Sequence, residues 1–176
     1  MRNKKVKRLA YIALMLASAL IIGIIESFIP PVIPTLPMIR LGLANVVVLF
    51  TYIAFGTVPA SIVLLSKCFL VSLFTGNFFS MAFSIPSGII SLSLGILLIK
   101  MNKNSLIMIS ALQAIVHNSI QVVIASLVMG TATVFVYLPY LFVIGAACGM
   151  LTGFIALLLI KKMPQKIFLT LNERDE

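Results

Sequence analysis

LAYIALMLASALIIGIIESFI, running from Leu9 to Ile29, contains one charged residue, Glu26. A helix rises about 1.5 Å per residue, so this stretch matches a hydrocarbon layer about 30 Å thick. Arg2, Lys4, Lys5, Lys7 and Arg8 precede it. This basic leader, the apolar centre and Ala17-Ser18-Ala19 also have the outline of a cleavable signal peptide. The apolar run continues well past that point, so a retained membrane helix is expected.

The whole chain agrees with its first run. Of 176 residues, 61% are hydrophobic and 10% charged. A soluble domain averages about 45–50% apolar and about 25% charged. A chain this small leaves too much surface exposed for so few charges to cover. Composition therefore argues against a water-soluble globule, a disordered chain and a nucleic-acid module. It predicts an all-α integral membrane protein forming a single transmembrane domain over 1–176.

Further apolar segments predict helices at about 9–29, 41–55, 60–74, 81–99, 105–128 and 134–160. A basic segment (1–8) precedes them and a polar tail (161–176) follows. Pro30, Pro31, Pro34 and Pro37 stop the first helix and predict a stiff extended loop, a candidate lid or plug. Helices 2 and 3 are short for a full crossing, so a five-helix count stays open. The net charge of +9 resides mainly in three blocks: the leader, Lys100 with Lys103, and Lys161, Lys162 and Lys166. Six helices with both termini cytoplasmic put all three blocks on one side. That layout satisfies the positive-inside rule and predicts a multi-pass protein of a bacterial cytoplasmic membrane in contact with its lipids. Cys68 and Cys148 lie far apart in apolar stretches and are expected as small core residues.

Charge inside a membrane is costly and asks for a reason. On this topology Glu26, Arg40, Asn45, Lys67, His117, Asn118, Gln121 and Tyr137 share one depth range, from the midplane to the outer surface. That is the layout of an outward-facing ligand cavity beneath the proline-rich loop. His117 and Gln121 are four apart and share a helix face. They either bind ligand or hold their helix to a neighbour. Lys67 either binds an anionic group or neutralises Glu26. Arg40 either joins the site or snorkels to lipid phosphate. Two bases against one acid favour an anionic or electron-rich ligand. Gly145, Gly149 and Gly153 form two successive GxxxG steps, expected to pack within the chain. Ala10, Ala13 and Ala17 make a small face on helix 1, for packing or for docking a separate membrane subunit.

No catalytic site is expected. The sole aspartate is Asp175, and no aspartate-rich magnesium motif, P-loop, HExxH or GxSxG occurs. One histidine without a carboxylate cluster makes no metal site, and no cofactor is expected in this chain.

Several ordered motifs resemble one family. They are Arg40-Leu41-Gly42-Leu43-Ala44-Asn45, His117-Asn118 followed by Gln121, Tyr137-Leu138-Pro139, and Ile25-Glu26 before Pro30-Pro31. The family is labelled both heptaprenyl diphosphate synthase component I and Gx transporter, and it resembles this chain over about residues 9–162. Where the family usually has arginine in helix 3, this chain has Lys67, which keeps the charge and loses the bidentate fork. The family is similar to the substrate-binding S components of energy-coupling factor (ECF) transporters. That similarity implies a six-helix S-component-like bundle, capture of a small molecule such as a vitamin or precursor from outside, and docking through Ala10, Ala13 and Ala17. The implied partners are a transmembrane coupling subunit and two cytoplasmic ATPases, which would hold the ATP and magnesium. The synthase label implies the alternative: a non-catalytic membrane component serving a soluble prenyl diphosphate synthase in quinone side-chain biosynthesis. Fold-level analogy does not carry the ligand across.

Overall fold

The computed structural model describes residues 2–29, 42–101 and 105–162. These residues form α1 (Arg2–Phe28), α2 (Asn45–Phe55), α3 (Thr57–Phe74), α4 (Phe79–Lys100), α5 (Leu106–Met129), a 3-10 helix (Ala132–Tyr137) and α6 (Leu138–Lys162). Arg40 and the proline-rich loop lie outside the described residues.

The chain is an all-α membrane protein. Five of its helical segments are long and apolar enough to cross a bilayer: Val6–Phe28, Thr57–Phe74, Phe79–Lys100, Leu106–Met129 and Ala132–Lys162. The sixth, α2, has only 11 residues and spans about 16 Å. It is also one of the most enclosed, with Val46, Val47, Val48, Leu49 and Phe50 all buried. Most of the long helices instead turn large apolar side chains outward, such as Leu14, Ile21, Phe69, Ile90 and Leu151. An apolar exterior around an apolar interior is what a lipid solvent permits.

Local chemistry sets several helix ends. The sequence places a four-residue turn at Gly56–Pro59, but α3 begins at Thr57. Gly56 alone makes the break, with φ +92. Pro59 falls within the first turn of α3, where a missing N–H costs no helical bond. Pro86 sits inside α4 without ending it. Its ring is exposed, and the neighbouring Ser87 hydroxyl donates to the Phe83 carbonyl at 2.6 Å. Ser105 caps α5 by accepting from the Met108 N–H, and Gly130 ends that helix in the left-handed region. Residues 134–137, expected as the start of the last helix, belong to the 3-10 helix.

α5 and α6 pack backbone to backbone. A Cβ added at Gly149 would lie 2.6 Å from Ala111 Cα, and one at Gly153 would lie 2.8 Å from Ile107 Cα. The glycine stripe is thus consumed inside the chain. Ser110 and Thr152 hydroxyls meet across the same seam at 3.0 Å. At the other edge, α1 packs on α3 and α2. The Arg8 guanidinium there donates to Phe55 O at the C-terminal end of α2, at 3.4 Å.

Candidate functional site

α1, the turn before α2, α3 and α5 bring five of the expected polar residues together. Glu26 lies in the last turn of α1 and is buried. Its carboxylate accepts from the Gly42 N–H. Gly42 opens a tight turn, and the Asn45 N–H closes it on Gly42 O at 2.9 Å. Asn45 is the first residue of α2. Its Oδ1 accepts from Lys67 Nζ at 2.8 Å. Its Nδ2 stands 3.5 Å from His117 Nδ1. On the far side of the ring, the Gln121 amide is 3.0 Å from His117 Nε2. One chain of contacts thus crosses from α3 through α2 to α5.

Two hollows flank this chain. The first, about 30 Å³, is lined by Glu26, Gly42, Lys67, Ser84 and His117 among others. The second, about 20 Å³, touches Gly42, Asn45, Ser91, Ser110 and Gln113. Each has room for about one or two waters. The first has both an acid and a base in its lining. It must widen before it can take an organic ligand.

Two glycines make this closeness possible. Gly42 has φ +77, and a Cβ there would lie 2.8 Å from Asn45 Nδ2 and 3.1 Å from His117 Cδ2. Only glycine meets both the backbone and the spatial demand without strain. A Cβ at Gly23 would reach within 2.8 Å of Val71 Cγ2, so α1 and α3 close tightly at the first hollow.

Not every expected site residue joins the group. Asn118 is fully buried but faces α6, donating to Leu141 O at 3.4 Å beside Gly145. Its Oδ1 is buried without a hydrogen-bond partner. Asn118 therefore packs at the α5–α6 seam and does not line either hollow. Tyr137 belongs to the 3-10 helix and packs with Phe83, Val122 and Val134 in a separate apolar cluster. Ala10, Ala13 and Ala17 are exposed along α1. Cys68 and Cys148 form no disulfide, and Cys68 lines the first hollow.

Gln113 is the residue that sequence reasoning missed. Its amide donates to Ser91 O at 3.0 Å and fills the space that Gly95 leaves bare. The signal was present: Gln113, His117 and Gln121 recur at intervals of four and share one face of α5.

A family model described as heptaprenyl diphosphate synthase component I matches residues 15–159. The chain belongs to this family. Searches of curated proteins and of solved structures returned no match. The matched span begins within α1, ends within α6 and contains all five residues of the polar group. Magnesium is the usual partner of diphosphate groups and is therefore the metal to test. Among the described residues Glu26 is the one acid at the site, and it is engaged with the Gly42 N–H. Among the described residues no three His, Cys, Asp or Glu side chains are placed so that they could hold a metal ion together. The donor set does not fit a magnesium centre.

Proposed function

We propose that this chain is a non-catalytic membrane component of a heptaprenyl diphosphate synthase. In this reading it holds the diphosphate end of a prenyl substrate or product while its apolar surface accommodates the chain. The observation that carries the reading is the family match over 15–159, together with a buried cation, Lys67, on the wall of a hollow. A buried ammonium beside a cavity offers charge-assisted bonds to phosphate oxygens. Asn45 and His117 add polar contacts behind it, and Arg40 is assigned to the same end of the ligand. Catalytic magnesium is assigned to a soluble partner subunit, because the residues here do not fit it.

The test is reconstitution. A soluble prenyl diphosphate synthase subunit from the same cell is assayed for long-chain product with and without this chain in membranes. Dependence on this chain, reduced at least tenfold by Lys67→Ala, supports the reading. Product formation indifferent to this chain overturns it.

The exposed Ala10, Ala13 and Ala17 face favours a second reading. There the chain is the S component of an ECF-type transporter with both termini cytoplasmic. It captures a small molecule from outside and docks on a coupling subunit that two ATPases drive. Co-purification with those subunits, lost on Ala13→Leu with Ala17→Leu, supports this second reading over the first. Their absence from a gently purified complex sinks it.

A further inference from the structure

The Lys67–Asn45–His117–Gln121 chain has a direction. An ammonium group can only donate. At 2.8 Å it therefore commits Asn45 Oδ1 as an acceptor. The amide's other end, the NH2, then faces His117 Nδ1 across 3.5 Å. Two donors cannot share that contact, so Nδ1 is left as the acceptor. A neutral imidazole has one N–H, which must then sit on Nε2. The Gln121 amide lies 3.0 Å from Nε2 with its nitrogen foremost, so that it must turn over to present its oxygen to that N–H. The two ends of a side-chain amide are alike in shape, and the polarity of the bond decides which one faces the ring. From α3 and α4, Lys67 and Ser84 line the same hollow as the ring. Bare Gly42 roofs the Asn45–His117 contact closely enough that a Cβ would intrude.

We propose that Lys67 fixes the protonated nitrogen of His117 through Asn45, and that an anion drawing Lys67 away releases this bias and is thereby registered on α5. The second half rests on the anion-binding reading of the hollow. The first half does not. With the ammonium withdrawn, no other described residue holds the Asn45 oxygen toward α3. The amide can then turn its oxygen to Nδ1, the proton moves to Nδ1, and the Gln121 amide turns in response. Ligand charge in the hollow becomes a change in hydrogen-bond order along α5, whose other face is locked to α6.

His117 is the only histidine in the chain, so its ring nitrogens can be read without assignment by mutation. Nitrogen-15 histidine NMR of the full chain in lipid nanodiscs is the measurement. The wild type is expected to show a protonated Nε2 and an unprotonated Nδ1. Lys67→Arg keeps a donor and keeps that pattern, which also controls for folding. In Lys67→Met the Nε2 resonance shifts downfield and the Nδ1 resonance upfield, as the proton changes sides. A wild type protonated on Nδ1, or a Lys67→Met protein with the wild-type pattern, overturns the relay.

Inorganic diphosphate is the probe for the second half, with its own phosphorus signal reporting binding. Bound diphosphate that shifts the wild-type ring in the Lys67→Met direction supports sensing. Bound diphosphate that leaves the ring unchanged overturns it. Failure to bind sinks the anion reading of the hollow, while the Lys67→Met comparison still decides the relay.

Discussion

The α5–α6 seam and the α1–α2–α3–α5 junction are built on opposite terms. Along the seam, three glycines let backbones touch, and the polar groups there are small and neutral. At the junction, packing leaves two small hollows, and a carboxylate and an ammonium both line the first of them. A seam of that kind is cheap to keep and rigid. A junction of that kind is costly in an apolar solvent unless its charges have work to do. The contrast puts close backbone packing on one side of α5 and the buried charges on the other.

Breaking the seam should have the largest effect. Gly149→Leu places a branched side chain where even a Cβ lies 2.6 Å from Ala111 Cα and 2.8 Å from Ser110 O. Backbone cannot yield as a side-chain tip can. Overpacking costs roughly 1–3 kcal/mol and occasionally more, and this site falls at the severe end. The expected result is loss of a monodisperse peak in detergent and a lower melting temperature. Gly76→Leu is the counterpart, since a Cβ there meets nothing within 4 Å, and its cost comes from φ +66 alone. Equal losses in the two variants would mean that the seam is not a close contact.

At the junction the ordering of effects should reverse. Gly42→Ala strains a positive φ and pushes on Asn45 and His117 together. Strain of this kind costs about 1–3 kcal/mol. The flexible amide of Asn45 can move aside, so the protein should still fold. Binding of a diphosphate ligand should fall by tenfold or more while the melting temperature drops by only a few degrees. Isothermal titration beside thermal unfolding separates the two. A variant that melts far lower but binds normally would show Gly42 to be structural.

How far the sequence anticipates this contrast depends on the residue. Apolar runs and basic blocks define the helices because lipid demands both, and the Gly145–Gly149–Gly153 period announces the seam. Glu26, Asn45, Lys67, His117 and Gln121 stand out because polarity is rare in these helices. Their pairing was not legible. The carboxylate bonds a backbone N–H at Gly42, and the Lys67 ammonium bonds Asn45, contacts that follow from how α1 and α3 cross. Asn118 shows the limit most plainly. It is adjacent to His117, yet about 100° around a helix turns it into the seam and away from the hollows. The surroundings of Tyr137 were equally hidden, since a 3-10 helix sets it against the Phe83 cluster. Gln113 was passed over because its partner, Ser91 O, is backbone and leaves no trace in side-chain chemistry.

Asn118 also sharpens the comparison, with a smaller effect. Its buried Oδ1 has no partner, and its one donated bond is long at 3.4 Å. Burying a polar atom without a hydrogen bond is costly, so an apolar replacement removes that cost and offsets the loss of one long bond. Asn118→Leu is therefore expected to leave the melting temperature unchanged or raise it slightly, with diphosphate affinity within about twofold of wild type. A loss of binding on the scale of Gly42→Ala would return Asn118 to the ligand site.

The smallest intrinsic effect is expected on the outer face of α1. Ala13 and Ala17 are exposed, so Ala13→Leu with Ala17→Leu adds apolar volume toward lipid and touches neither the seam nor the junction. Exposed substitutions of this kind usually stay within about 0.5 kcal/mol, and leucine suits a lipid-facing helix. The isolated double variant should match the wild type in melting temperature and in the nitrogen-15 spectrum of His117. That silence makes the variant informative, because any loss of a membrane partner in a pull-down then reflects the surface itself and not a damaged bundle. A double variant that unfolds on its own would instead place these alanines against another helix of this chain, and the docking role of the α1 face would fall with it.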